Sequence, residues 1–349
     1  MIDNAIDASA NDIDLRLNLR ANKPQEAEIV IVDNGTGMTP AEIVNSLRLG
    51  SGVKGGHRSA LGRFGIGLTN AALSLGRRVE VYSWRTPRYV RMTRVDLDDV
   101  LSGLQDTVPM PVRVPWPADV EKETHKSGTM IRLCNLDRLN SRYVKPMQQN
   151  ISTEFGRVYR KHLTLGLTIR VNGKPIEAID PMFLMPGSGI RGEKYGTTLV
   201  LPIRDDRTIT TAPRLRRSVS ILFSELPVER SSALSNHEKR SLGISKRSGV
   251  SILRGNREID YGWFFMGRKR KENYDDWWRC QISFFPDLDE LFGVNNTKQG
   301  IRPQRELVEV LTPHIEATAY KLNRRTRQKF AALRKVTKSA TSSRIATQN

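Results

Sequence analysis

The chain has 349 residues, 38% hydrophobic and 27% charged, a globular balance that excludes a fibrous or disordered class and is long enough for two domains with separate cores. Its formal net charge of +19 points to polyanionic partners, nucleic acid foremost. No window approaches eighteen unbroken apolar residues and the opening lacks a signal-peptide layout, so a cytoplasmic address is expected; Cys134 and Cys280 stand far apart in no ligand spacing, so they are expected to be buried small hydrophobes rather than a disulfide framework or a zinc site.

Residues 1 to about 20 read as a helix that begins in mid-course, with no capping residue ahead of it; the expectation is that an upstream segment is missing. EAEIVIVDNG predicts a strand ending in a turn. From Arg48 to Gly67, RLGSGVKGGHRSALGRFGIG holds too many glycines for a regular element and predicts a loop opening onto the helix LTNAALSLG, with Gly76 as its C-cap. RRVEVYSW, YVRMTRVDL and GTMIRLCNL predict strands. A helix near 143–163 and the hairpin LTIRVNGKPIEAI, turning at Asn172-Gly173, close the first half. Past about residue 195, TTLVLPI, RSVSILFSEL, GVSILRGNREID and WWRCQISFF predict strands again. A final helix from about Pro303 to Lys335 carries Leu307, Val308, Leu311, Ile315 and Leu322 at helical spacing, and from Lys321 to Asn349 no acidic residue occurs.

Four groups can carry chemistry. Asn4 and Asp7 are three apart on one helix face, also the pattern of a plain solvated face. The run from Asp33 through Asn34, Gly35, Thr36, Gly37 and Met38 follows a strand; its carboxylate can accept from an amino group while bare backbone admits a flat ring, although the same string makes an ordinary turn. Gly62, Gly65 and Gly67 form GxxGxG before a helix, where free N–H groups and the helix end suit phosphates. Lys54, His57 and Arg58 precede them. No strand runs directly into that motif and no acidic residue sits about twenty positions on, so a Rossmann site is excluded, and without GxxxxGK[ST] so is a P-loop. Last, Ser127, Gly128 and Thr129 open a strand.

In this order the four groups resemble the GHKL ATPase superfamily of gyrase, the heat-shock chaperone, histidine kinases, MutL and MORC proteins, with bacterial MORC-like ATP-binding proteins the nearest likeness. The resemblance implies a Bergerat-type α/β (α+β) sandwich of helices on a mixed sheet over residues 1–190. A smaller transducer-like α/β domain would follow at 195–335, then a basic disordered tail at 336–349. It implies that Asn4 holds Mg²⁺, with Asp7 in the same helix motif. Asp33 would bond the adenine amino group, with Gly35, Gly37 and Met38 lining that pocket and Thr129 behind the aspartate. Gly62, Gly65 and Gly67 would meet the triphosphate, with Lys54 in their loop. In LDELFGVNNTKQGIRP, Lys298 resembles the transducer lysine that reaches the γ-phosphate.

The superfamily's general-base glutamate lies four residues before the asparagine, one turn away. Four before Asn4 is position zero, so the residue is expected upstream of Met1. Asp3, about 100° around the helix, is not expected to substitute. The implied function is a Mg²⁺-dependent ATPase acting as an ATP-gated homodimeric clamp on DNA. The alternatives are a nucleotide-sensing pseudo-ATPase or a chaperone-like protein. A histidine kinase fits less well, because no dimerisation helix with a phosphoacceptor His precedes the module and kinases usually place a basic residue where Asp7 stands.

Overall fold

The computed structural model describes residues 1–19, 26–48, 68, 72–118, 120, 126–139, 143–187, 190–203, 217–231, 233–245, 248–295 and 300–346, with side chains through 336 in the C-terminal helix. The chain divides into two units, Met1–Ala178 and Ile179–Asn349.

The first unit is built on β1 (Asp12–Asn18), β2 (Glu28–Asp33), β3 (Arg78–Trp84), β4 (Val90–Asp96), β5 (Val112–Val114), β6 (Gly128–Cys134), β7 (Thr168–Val171) and β8 (Lys174–Pro175). They form one mixed sheet in the order β5-β4-β3-β6-β2-β1-β7-β8. β1 and β7 run parallel, and the other neighbouring pairs are antiparallel.

Directly opposed residues share a face, so the register sorts the sheet into rows. Leu17, Ile29, Leu133, Val79 and Val95 make one row, and Leu15, Ile31, Ile131, Val81 and Thr93 the next. Onto these rows pack Ile2 and Ala5 of helix α1 (Ile2–Asp7), Ile43 and Leu47 of α2 (Pro40–Leu47), and Tyr159. The opposite face carries Val30, Val32, Met130 and Trp84, covered by Val120 and Trp116. The result is an α/β layer with a core on each side of the sheet.

The first predicted helix is shorter than its sequence suggested. It stops at Asp7, Ser9 turns back with φ 61°, and DIDLRLN becomes β1. Period-2 alternation decides this, because Ile13, Leu15 and Leu17 reach the core only from a strand. Gly76 is not among the positive-φ glycines of the described residues. Its lack of a side chain serves packing instead, since a Cβ there would lie 2.6 Å from the Cys134 carbonyl oxygen. Asn172 and Gly173, at φ 49° and 76°, make the predicted tight turn between β7 and β8.

The second unit holds β9 (Glu193–Pro202), β10 (Ser218–Glu225), β11 (Val250–Arg254), β12 (Arg257–Gly262) and β13 (Trp278–Phe284), ordered β12-β11-β13-β10-β9. The helix Arg305–Ala346 seats Leu307, Leu311, Ile315, Ala319 and Leu322 against it. This helix runs past Lys335, the end that its sequence predicts. Cys134 and Cys280 are both free and buried.

Two ion pairs are sealed inside the second unit. Arg254 bonds Asp289 through two nitrogens at 2.7 and 2.8 Å. Lys269 Nζ lies 2.6 and 2.8 Å from the Asp275 oxygens, both side chains being inaccessible to solvent. Asp275 also accepts from the Glu272 backbone N–H at 2.6 Å and from Trp278 Nε1 at 3.2 Å, so its charge is held from three directions. Removing one partner of such a pair leaves an uncompensated buried charge. Lys269→Met is therefore expected to cost about 3–5 kcal/mol. Chemical denaturation should show that loss, and Lys269→Met combined with Asp275→Asn should recover part of it.

Candidate functional site

The third row of the first unit turns polar. Ile13, Asp33, Thr129, Ser83 and Arg91 are consecutive partners across β1, β2, β6, β3 and β4. Asp33 ends β2 and is 6% exposed. Its Oδ1 accepts from the Gly35 N–H at 2.9 Å. Burial pushes its carboxyl up from 3.8 to about 6, against the opposing pull of the Gly35 and Thr129 backbone N–H groups; no charged side chain enters among the causes. A buried acid whose partners among the described residues are neutral N–H groups is an acceptor suited to an uncharged amino group.

The loop after Asp33 is fixed from several sides. The Thr36 N–H donates to Ala8 O at 3.0 Å. Asn34 Oδ1 accepts from the backbone N–H groups of Asn11 and Asp12, both at 3.0 Å. Ser127 Oγ donates to Gly35 O at 2.7 Å. Glycine is required at two places by close approach: a Cβ on Gly37, at φ +66°, would lie 2.1 Å from Trp84 O, and one on Gly128 2.1 Å from Asp33 O. Gly35 packs on Ala8, 2.9 Å from its Cβ by the same construction.

Ser83 ties these parts together, and no sequence motif marks it. Its hydroxyl accepts from the Met38 N–H at 2.8 Å, donates to Gly128 O at 3.0 Å, and lies 3.2 Å from Thr129 Oγ1. The available signal is a small polar residue in a strand whose neighbours on that face, Val79 and Val81, are apolar.

The structure therefore brings Asp33, Gly35, Gly37, Met38 and Thr129 together. Asn4 is exposed and Asp7 half-buried on α1, whose C-terminal end is bonded to the pocket loop through Ala8. Asp3 accepts from the Tyr159 hydroxyl at 2.9 Å. Lys54, Gly62, Gly65, Gly67 and Lys298 lie outside the described residues. No cluster of three or more His, Cys, Asp or Glu able to hold a metal occurs among the described residues. Asn4 carries a side-chain oxygen of the kind that a hard cation takes.

Residues 1–128 match the family described as histidine kinase-, DNA gyrase B- and HSP90-like ATPase. This segment is a GHKL-type ATPase domain. The chain is also 33% identical over 78 residues to ATPase MORC2B of Mus musculus, a stretch that is 22% of this chain. It covers 8% of that relative's length. The GHKL domain thus includes every pocket residue described above except Thr129, which follows its matched segment directly. No helix of the described residues is long and apolar enough to cross a membrane.

Because the folded pKa of Asp33 is raised, its carboxyl contributes stability that is fully present below about 3.8 and lost as pH rises through about 6. Asp33→Asn should therefore stabilise the ligand-free protein above pH 7, by at most about 3 kcal/mol, with the gain shrinking as pH falls through that range. Thermal unfolding across a pH series reads it out. If Asp33 takes an adenine amino group, a carboxamide would offer it an NH₂ group or a weaker neutral acceptor, and the same variant should lose roughly 10- to 100-fold in ATP affinity by calorimetry. Ser83→Ala should weaken ATP binding without that pH signature, because it unpins the Met38 backbone and leaves the acid in place.

Proposed function

We propose that this chain binds ATP with Mg²⁺ as the nucleotide module of an ATPase, and that it works as an ATP-gated clamp in which two copies close on DNA. The observation that supports the reading best is Asp33, a buried carboxyl with no ion pair among the described residues, set beside Gly35, Gly37 and Thr129 in a segment of GHKL type. In this reading Asp33 takes the adenine amino group and Thr129 stands behind it. Met38 and the two glycines line the base pocket, and Asn4 supplies an oxygen to Mg²⁺. Gly62, Gly65, Gly67 and Lys54 would meet the triphosphate, and Lys298 would sense its terminal phosphate from the transducer-like second unit. Phosphoryl transfer asks little of a protein beyond positioning and charge neutralisation, which amides, a lysine and a metal ion supply.

The C-terminal helix is the proposed DNA-binding element, and the structure refines which of its cations are available. Arg325 and Lys329 lie 2.9 Å from Glu225, and Arg327 pairs with Glu272. Lys321, Arg324, Arg334 and Lys335 are exposed. Deleting the helix from 321 would also remove the buried Leu322, Asn323 and Thr326, so point substitutions are the cleaner probe.

Sedimentation with a non-hydrolysable ATP analogue should double the mass of the wild-type chain and leave Asp33→Asn monomeric, while phosphate release is followed in parallel. Unchanged mass with saturating nucleotide would refute the clamp. Binding without turnover in a chain extended to include the expected glutamate would move the assignment to nucleotide sensing. Replacing Lys321, Arg324, Arg334 and Lys335 by Gln should lower duplex affinity for all sequences alike. The slope of log K against log salt should flatten by roughly 0.9 for each phosphate that the variant leaves unneutralised.

A further inference from the structure

The polar row that begins at Asp33 does not stop at Ser83. Ser83 is opposite Arg91 on β4, and Arg91 is directly opposite Arg113 on β5, the edge strand of the sheet. Two like charges facing each other across a strand pair repel, and a fold tolerates this where something else supplies the counter-charge. Among the described residues neither guanidinium is ion-paired with a carboxylate. What they approach is Tyr89, whose ring centre lies 4.8 Å from the Arg91 guanidinium carbon and 4.5 Å from that of Arg113. Tyr89 is 39% exposed. Arg85 and Arg88 are exposed in the turn that leads into β4, and no acidic residue occurs between Arg85 and Arg94.

We propose that this β4–β5 edge binds a single strand of nucleic acid, its phosphodiester groups seated on Arg91 and Arg113 and an unstacked base placed on Tyr89. An acidic peptide would use the arginines but has no need of an exposed ring held beside them. A duplex would satisfy the charges, but its bases are stacked and cannot reach an aromatic on a sheet edge. Positive charge, a partly exposed ring and the absence of a carboxylate paired with either arginine among the described residues together match a strand with exposed bases. The proposal is separate from the duplex-binding role assigned to the C-terminal helix and stands or falls without it.

The test titrates the full chain with fluorescent oligothymidylate and with a duplex of the same length, at several salt concentrations. Arg91→Gln with Arg113→Gln should lower oligothymidylate affinity and flatten the salt slope by about 1.4, from roughly 0.7 per neutralised phosphate on a single strand. Arg91→Lys with Arg113→Lys should keep most of that slope. Tyr89→Leu should weaken oligothymidylate about tenfold, leaving its salt slope and the duplex affinity unchanged. ATP affinity and the unfolding midpoint, read on every variant, should match the wild-type chain and show that the fold is intact. Superimposable oligothymidylate curves would overturn the proposal. So would a Tyr89→Leu variant that binds normally, and so would a double Gln variant that loses binding to polyglutamate instead. Loss of duplex binding in the C-terminal helix variants with the edge intact would bear on the clamp alone.

Discussion

The register of β1, β2, β6, β3 and β4 is the constraint on which everything at the site rests. Side chains alternate with period two, so a one-residue slip of any of these strands would send its row to the opposite face. The two apolar rows prevent that slip: Ile29, Ile31, Val79, Val81, Ile131 and Leu133 can all be buried under the helices in one alignment only. The third row then falls into place at no further cost, delivering Asp33, Thr129 and Ser83 to one spot where the core ends. Core packing is in this sense the positioning device of the pocket, and the hydrogen bonds that join Ser83 to Met38 and Gly128 fasten what the register has already aligned.

Much of this is legible in the sequence, and the reasons differ from place to place. Asp33 can be read because its role is local: an acid at a strand end followed by two glycines is a contiguous pattern, and the structure shows each glycine pressed against other backbone or Ala8. Thr129 is legible only through order along the chain. Ser83 is not, because its partners come from β6 and from the loop after β2, more than forty residues away. The over-long first helix has a simpler cause: alanines and acids in ASANDID give no strong period, and only the burial of Ile13, Leu15 and Leu17 shows that the strand wins. The Arg91–Arg113 pair depends on a three-residue strand within a proline-rich stretch that reads as loop.

The positive charge is also distributed in a way that composition hides. In the second unit a few cations are turned inward: Lys269 and Arg254 are buried with carboxylates, and Arg279, 0% exposed, donates to the carbonyls of Gly243, Ile244, Asp276 and Trp278. These cations hold loops against the sheet and have no reach toward a partner. A polyanion would meet the exposed cations, such as Arg85 and Arg88 of the first unit and Lys321 and Arg324 of the C-terminal helix, rather than these buried ones.

The bond from Thr36 N–H to Ala8 O joins the loop after Asp33 to the helix bearing Asn4, with Asn34 fastening the same loop to Asn11 and Asp12. Under the proposed roles, the residue that grips the base and the residue that grips the metal belong to one stiff bracket. Such a bracket measures its guest. A nucleotide whose base and phosphates span the fixed gap engages both ends at once, while a shorter or longer molecule engages one and forfeits the other, so selection by length is built into a few hydrogen bonds to the backbone rather than into any side chain that touches the ligand.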